Sequence, residues 1–265
     1  MTTQVTARPA ATIVLMRDSA QGPEVFMVVR HHAIAFAAGA LVFPGGRVED
    51  SDRAYAADLP DIGPTIPPDA TAYRLAAIRE TFEECGVLFA RPNASPHLIG
   101  AETLLAVETA HRDALNNGEI DLRAMLDAHA LTPATDLLTH FAHWITPANQ
   151  AKRYDTQFFL AKAPAEHLAV HDGTEAVDSL WITPQKALDD TIAGRFKLIF
   201  ATEMNLKKLA SHATTAAAIA AARASTIVTV QPELRAVDGH RRLLRIPIEA
   251  GYGGDEFMVD NPPGS

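Results

Sequence analysis

The chain has 265 residues and is 48% hydrophobic, 21% charged and 6% aromatic, which suits a globular enzyme with one sizeable core and excludes wholesale disorder. Its formal net charge of -9 disfavours non-specific association with nucleic acid or anionic membranes, while leaving room for an anionic substrate wherever metal ions invert the local sign. A single cysteine, Cys85, rules out an internal disulfide framework and points to a reducing compartment.

Met1 to Ala11 shows no basic segment leading into a long apolar run, and the longest mostly apolar stretch, Ala33 to Phe43, is too short to span a bilayer. A cytoplasmic protein with no leader and no membrane partner is expected. Thr12 to Arg17 and Val25 to Arg30 are β-rich runs around the turn formers Asp18 to Pro23, and predict a hairpin. Ala40 to Phe43 is a further apolar run, stopped by Pro44-Gly45-Gly46. The polar, proline-rich stretch 50–68 predicts a loop or irregular insert. Asp69 then predicts an N-cap for a helix over Thr71 to Cys85, ended by Gly86.

Glu102 to Asn116 and Asp121 to Ala130 predict two helices, the body of a helical lobe at about 95–138. Phe141 to Thr146, Thr156 to Ala161 and Ser179 to Ile182 are β-like, whereas Pro184 to Asp190 and the alanine-rich Thr202 to Ala224 predict helices. Ile227 to Gln231 and Leu243 to Ile248 predict late strands, and the tail after Gly253 is expected to be loose. Strands and helices alternate irregularly. The expectation is therefore an α+β fold with a mixed sheet flanked by helices, one domain over 1–265.

The helix ending at Gly86 carries the chemistry. At about 100° per residue, Leu75, Ile78, Phe82 and Cys85 share one face, and Glu80, Glu83 and Glu84 lie opposite. Three carboxylates at i, i+3 and i+4 repel one another, and a divalent cation relieves that repulsion. Oxygen ligands suit hard Mg2+ or Mn2+. An acidic cluster alone is most often a solvated helix face. Here it follows Phe43-Pro44-Gly45-Gly46, a turn whose glycines let backbone approach a ligand closely.

Together these residues resemble the Nudix box, Gly-x5-Glu-x7-Arg-Glu-U-x-Glu-Glu-x-Gly-U with U apolar. Gly46 opens it, and Arg79-Glu80, Glu83-Glu84 and Gly86-Val87 close it. The resemblance implies an α/β/α sandwich and hydrolysis of the diphosphate link in a nucleoside diphosphate joined to another moiety. It makes Glu80, Glu83 and Glu84 the metal carboxylates and gives the metal a backbone carbonyl of the Gly45-Gly46 turn, taken as that of Gly46. Arg79 is implied to orient a box carboxylate. Two departures stand out. Thr81 fills an apolar position, and the box is split: Asp52 occupies the early carboxylate position, followed by 26 residues before Arg79. Glu49, Asp50 and Asp69 are the alternatives for that position. A split of this kind resembles the branch that contains a peroxisomal coenzyme A diphosphatase.

The resemblance further implies a nucleotide-like small-molecule substrate and, by analogy, a homodimer. Coenzyme A, NADH and ADP-ribose all present the same diphosphate. Glu175, near Asp172 and Asp178, is a candidate base from a later loop, or simply part of a polar turn. Arg153 is a candidate phosphate ligand, with a surface pair to Asp155 as the alternative. Phe43 and Tyr154 are candidates for stacking on a base, with core packing as the alternative. Cys85 reads as an inert buried thiol. The competing functional reading is a non-catalytic nucleotide sensor or interaction protein, motivated by the stretched box and the extra helical lobe.

Overall fold

The middle of the fold is a strand buried on both faces. β1 (Arg8–Ser19) points Ala11, Ile13 and Leu15 into one hydrophobic cluster and Val14 and Met16 into another. That is why its sequence reads as a continuous apolar run rather than an alternating one. The computed structural model describes residues 5–30, 39–59, 68–165, 167, 176–239 and 241–260.

β2 (Gly22–Arg30) returns antiparallel to β1, with Ser19 paired to Gly22, so the expected hairpin forms with a turn tighter than 18–23. β3 (Leu41–Val42) pairs with β2, and β4 (Gly45–Arg47) pairs with the first half of β1. Part of the stretch expected to be a loop is instead a helix, α1 (Asp50–Asp58). Asp52 accepts from the backbone N–H of Glu49 at 2.9 Å, half of a capping box, and Tyr55 and Ala56 are buried in the core. α2 (Pro68–Cys85) begins before Asp69, so Asp69 lies inside the helix and is not its cap.

The lobe after the box holds β5 (Ala90–Pro92), α3 (Ala101–Asn116), α4 (Leu122–Ala128) and β6 (Leu131–Pro133), with β5 and β6 forming a small ribbon. Asp121 caps α4 by accepting from Ala124 N at 2.8 Å. The main sheet resumes with β7 (Thr139–Ile145), β8 (Tyr154–Lys162) and β9 (Ala176–Ile182). β8 runs parallel to β1 along nine register pairs, from Arg8 with Tyr154 to Met16 with Lys162. β7 flanks β8, and β9 pairs with β2.

α5 (Pro184–Ile192), α6 (Phe200–Leu209) and α7 (Thr215–Ala224) follow. The predicted helix 202–224 is thus broken. Thr214 leaves the helical region and caps α7 by accepting from Ala217 N, and Thr215 N donates to Asp18 on β1 at 2.7 Å. Tertiary anchoring here overrides the helix propensity of the alanines. β10 (Thr229–Val230) joins the main sheet beside β7, while β11 (Glu233–Asp238), β12 (Arg241–Arg245) and β13 (Glu256–Asp260) make a second antiparallel sheet. The tail expected to be loose after Gly253 is therefore paired as far as Asp260.

The architecture is α+β: an eight-stranded mixed sheet with helices on both faces. The first cluster lies between the sheet and α1 to α4, and the second between the sheet and α5 to α7. Among the described residues no helix is long and apolar enough to cross a membrane. One relay ties the late chain to the second cluster. Trp144 Nε1 donates to Tyr252 Oη at 3.0 Å, and Tyr252 donates on to Asn205 Oδ1 at 2.8 Å. Burial pushes the Tyr252 hydroxyl up to about 12, so it stays a neutral donor. Tyr252→Phe leaves the indole N–H and the Asn205 oxygen unmatched in the interior. The expected cost is about 1–3 kcal/mol, read as a lower denaturation midpoint in urea with an unchanged slope.

Candidate active site

α2 packs on β1 and β4 through the apolar face expected of it: Leu75, Ile78, Phe82 and Cys85 are all fully buried. Gly86 ends the helix with a positive φ of 69°, a conformation that favours glycine. The departure at Thr81 is absorbed locally, since its hydroxyl donates to Ala77 O at 2.6 Å.

Arg79 organises the box. Only 3% of it is exposed, and all five of its N–H groups are used. Nε and Nη2 donate to the two oxygens of Asp52 at 3.2 and 3.0 Å. Nη1 donates to Glu80 Oε1 and Glu83 Oε2, both at 3.0 Å, and Nη2 donates to Arg47 O at 2.7 Å. Among the described side chains of the carboxylates considered for the early position, Asp52 is the one that meets Arg79, and it is 2% exposed; the Asp69 side chain lies outside the described ones. These anions hold the guanidinium charged despite its burial.

The turn before the helix is shaped by contact. A Cβ on Gly46 would fall 2.3–2.4 Å from all three atoms of the Glu80 carboxylate, and one on Gly45 would fall 2.4 Å from Ala11 O. In the β1–β4 ladder Ile13 N donates to Pro44 O and Val48 N donates to Pro9 O. Bonded pairs alternate in an antiparallel ladder, so Gly46 turns its backbone groups to β1 and Gly45 turns its own towards α2. Gly45 N donates to Glu84 Oε2 at 3.0 Å, in keeping with that orientation. The turn carbonyl that faces the box is thus that of Gly45, rather than the Gly46 carbonyl implied by the resemblance.

Three carboxylates, Asp52, Glu80 and Glu83, surround a single guanidinium, and Glu84 lies against Gly45. The deficit in positive charge shows at Glu83, where burial first, and then Glu80 and Glu49, push the carboxyl up to about 8 against the pull of Arg79. Among the described residues no three acidic, histidine or cysteine side chains close around one point as a ready cage. The carboxylates are turned instead to Arg79 and Gly45. Hard oxygen donors with unmatched negative charge fit Mg2+ or Mn2+, and magnesium keeps much of its water and needs only one or two carboxylates.

The other sequence candidates fall elsewhere. Glu175 and Asp172 lie outside the described residues. Asp178 is on β9, accepting from Ser179 N. Arg153 is 6% exposed, and its donors are taken by Thr146 O, Val5 O and Gln231 Oε1, so it pins the N-terminal segment and the residue after β10 rather than reaching a substrate or Asp155. Phe43 is packed in the second cluster, on the sheet face away from the box. Tyr154 alternates with Asp155 and so shares that far face with Phe158. Core packing accounts for Phe43, and neither aromatic faces the box.

Nothing in the sequence distinguishes Arg112 from any cation on an amphipathic helix. From α3 it donates to the Glu83 carbonyl through Nε at 3.1 Å and Nη2 at 3.0 Å, and pairs with Glu108. A cation thereby caps the C-terminal turn of the box helix, where the helix dipole favours positive charge. On the opposite side of the site, Asp52→Ala should cost about 3 kcal/mol, the low end for breaking a buried pair, because Glu80 and Glu83 still face Arg79. Chemical denaturation measures it, and a loss near zero would remove Asp52 from this role.

A family model described as the NUDT19 Nudix domain matches residues 53–198. Acyl-coenzyme A diphosphatase NUDT19 of Xenopus laevis is 26% identical over 207 residues, covering 63% of this chain and 54% of that protein. Its Homo sapiens counterpart is 27% identical over 238 residues, covering 73% and 62%. The chain thus spans a little over half the length of these curated relatives. The crystal structure of a NUDIX hydrolase from Alicyclobacillus acidocaldarius superposes with a TM-score of 0.68 at 27% identity, covering 82% of this chain and 96% of that one. With the box geometry and a family model matching more than half of its residues, this chain belongs to the Nudix hydrolase family, through a domain of the NUDT19 type.

Proposed function

We propose that the protein hydrolyses the diphosphate link of a nucleoside diphosphate joined to another moiety, with Mg2+ or Mn2+ as cofactor. The observation that carries this reading is the set Glu80, Glu83 and Glu84, held around Arg79 and against the Gly45-Gly46 turn. Among possible substrates, coenzyme A conjugates come first, because the Xenopus and human relatives are acyl-coenzyme A diphosphatases by name.

When bound, the divalent ion supplies charge neutralisation for the diphosphate and lowers the pKa of a water. The residues of the chain then have separable tasks. Glu80, Glu83 and Glu84 would hold the ion, together with the Gly45 carbonyl. Arg79 holds Glu80 and Glu83 side by side through one hydrogen bond to each. Gly46 leaves room for the Glu80 carboxylate beside the sheet. The box glutamates are the described candidates for accepting the proton of the attacking water.

Glu84→Gln keeps the size of the side chain and removes its charge. Metal-dependent phosphate release, followed over a panel of diphosphate conjugates with products identified by mass spectrometry, should fall by about 100-fold or more with the melting temperature preserved. Undiminished turnover in that variant would sink the proposal. Gly46→Ala places a methyl group within the Glu80 carboxylate. Because a displacement of about 1 Å can cost two orders of magnitude in rate, kcat should fall by about 100-fold, well beyond any change in stability.

A further inference from the structure

The sheet register leads from the box to a second polar cluster. Ala11 pairs with Gly46 on one side and Gln157 on the other, Gln157 pairs with His143, and His143 with Thr229. Side chains paired across strands point to one face, so Gln157 and His143 lie on the face that carries the Glu80 carboxylate over Gly46. Two strand spacings, about 10 Å, separate Gly46 from Gln157. Phe159, two residues along β8, belongs to the same face and packs in the first cluster. His140 pairs with it, ring centroids 5.5 Å apart.

Over Phe159 sits Arg74, contributed by α2 itself. Its guanidinium carbon is 5.1 Å from the ring centroid, and the residue is 8% exposed. Six residues, about 9 Å of helix rise, separate it from Glu80. Among the described residues no carboxylate pairs with Arg74. Nη1 donates to Ala70 O at 3.2 Å, and Nε is buried with no partner. Beside it, His140 lies within reach of both Arg74 and the Gln157 side chain, and His140 Nε2 and Gln157 Oε1 are both buried. The one nearby carboxylate of β8, Asp155, is engaged by His143, whose other nitrogen meets Thr229 Oγ1. A cation withdrawn from water is a standing cost to the fold where no anion answers it, and none among the described residues does, so an apolar side chain of similar length should be tolerated at this position.

The geometry points to Arg74, with His140 and Gln157 beside it, as a subsite for a phosphate group of the substrate. It rests on the diphosphate-hydrolase reading and adds to it a second anion contact, away from the metal glutamates. The phosphate has two possible sources, the far phosphate of the diphosphate itself or a separate phosphate monoester on the nucleoside. Guanidinium is suited to either, since its planar fork matches phosphate oxygens.

The test uses Arg74→Met and Arg74→Lys in the full chain. Without ligand, Arg74→Met should melt at or above the temperature of the wild type. In chelator, inorganic phosphate and ADP should raise the melting temperature of the wild type and leave that of Arg74→Met unmoved, with Arg74→Lys in between. Turnover is then compared on two nucleoside diphosphate conjugates that differ only by one ribose phosphate monoester. A fall of about 10–100-fold in kcat/KM, confined to the phosphorylated conjugate, identifies the monoester as the occupant. An equal fall on both identifies the diphosphate. Unchanged kcat/KM on both conjugates, or a ligand-independent loss of melting temperature with the phosphate response intact, overturns the subsite and makes Arg74 structural. If the wild type turns over no conjugate at all, the hydrolase reading fails, and the phosphate-dependent melting shift decides the subsite by itself.

Discussion

Arg79 carries five N–H donors into a place that water does not reach, and each finds an oxygen. Those oxygens come from α1, from the backbone of β4 and from the acidic turn of α2. The guanidinium therefore does in one site what several separate contacts would have to do: it docks the insert helix, closes the glycine turn on the box helix and sets the directions of two glutamates. Its burial is tolerable only because anions outnumber it. Burial first, and then the neighbouring Glu80 and Glu49, push the Glu83 carboxyl up against the pull of Arg79, in keeping with the proposed metal ion. Structural order and the proposed cation site rest on one imbalance of charge.

A box with 26 residues between Asp52 and Arg79, where the pattern has x7, keeps its connection for the same reason. What the site requires is a carboxylate at the Arg79 fork, not a fixed number of residues before it. Loop closure costs grow slowly with length, so an insert is tolerated if its first residues return to the right place. The capping of α1, with Asp52 bonded to Glu49 N, gives that return a rigid form. Asp52 thus serves twice, once in starting its own helix and once in neutralising Arg79.

The apolar face of α2, the glutamates opposite it and the mixed sheet were legible in the sequence, because each rests on a short-range period or spacing. Asp52 was legible as a candidate by count, but its pairing with Arg79 depends on how α1 folds back, which no local pattern encodes. The short helix α1 was hidden by the prolines that follow it. The break at Ala210 to Thr214 was hidden by the alanines around it. Arg153 and Phe43 show the reverse failure: a guanidinium near a loop and an aromatic beside a glycine turn look like ligand groups until the third dimension assigns them to Val5 O and to the second core. Arg74 did leave a trace, since on a wheel of about 100° per residue it falls beside Ile78 and Cys85, a cation on an apolar stripe.

Glu80 and Arg74 are separated on α2 by less than two turns, yet they differ in what the fold does with their charge. Glu80 is answered by Arg79 within the helix that bears it. Arg74 is directed down onto Phe159 and the sheet, where the paired row from Gly46 through Ala11 to Gln157 continues the surface of the box. Small residues occupy the box end of that row, and polar ones the far end. Ala11 is fully buried beneath α2 and Gly46 lies under the Glu80 carboxylate, so the small residues of the row let α2 sit close on the sheet and bring Glu80 and Arg74 down onto one face. The difference between the two charges is thus one of neighbours: the helix supplies a counter-charge for Glu80, whereas no described carboxylate pairs with Arg74 and an aromatic face lies beneath it.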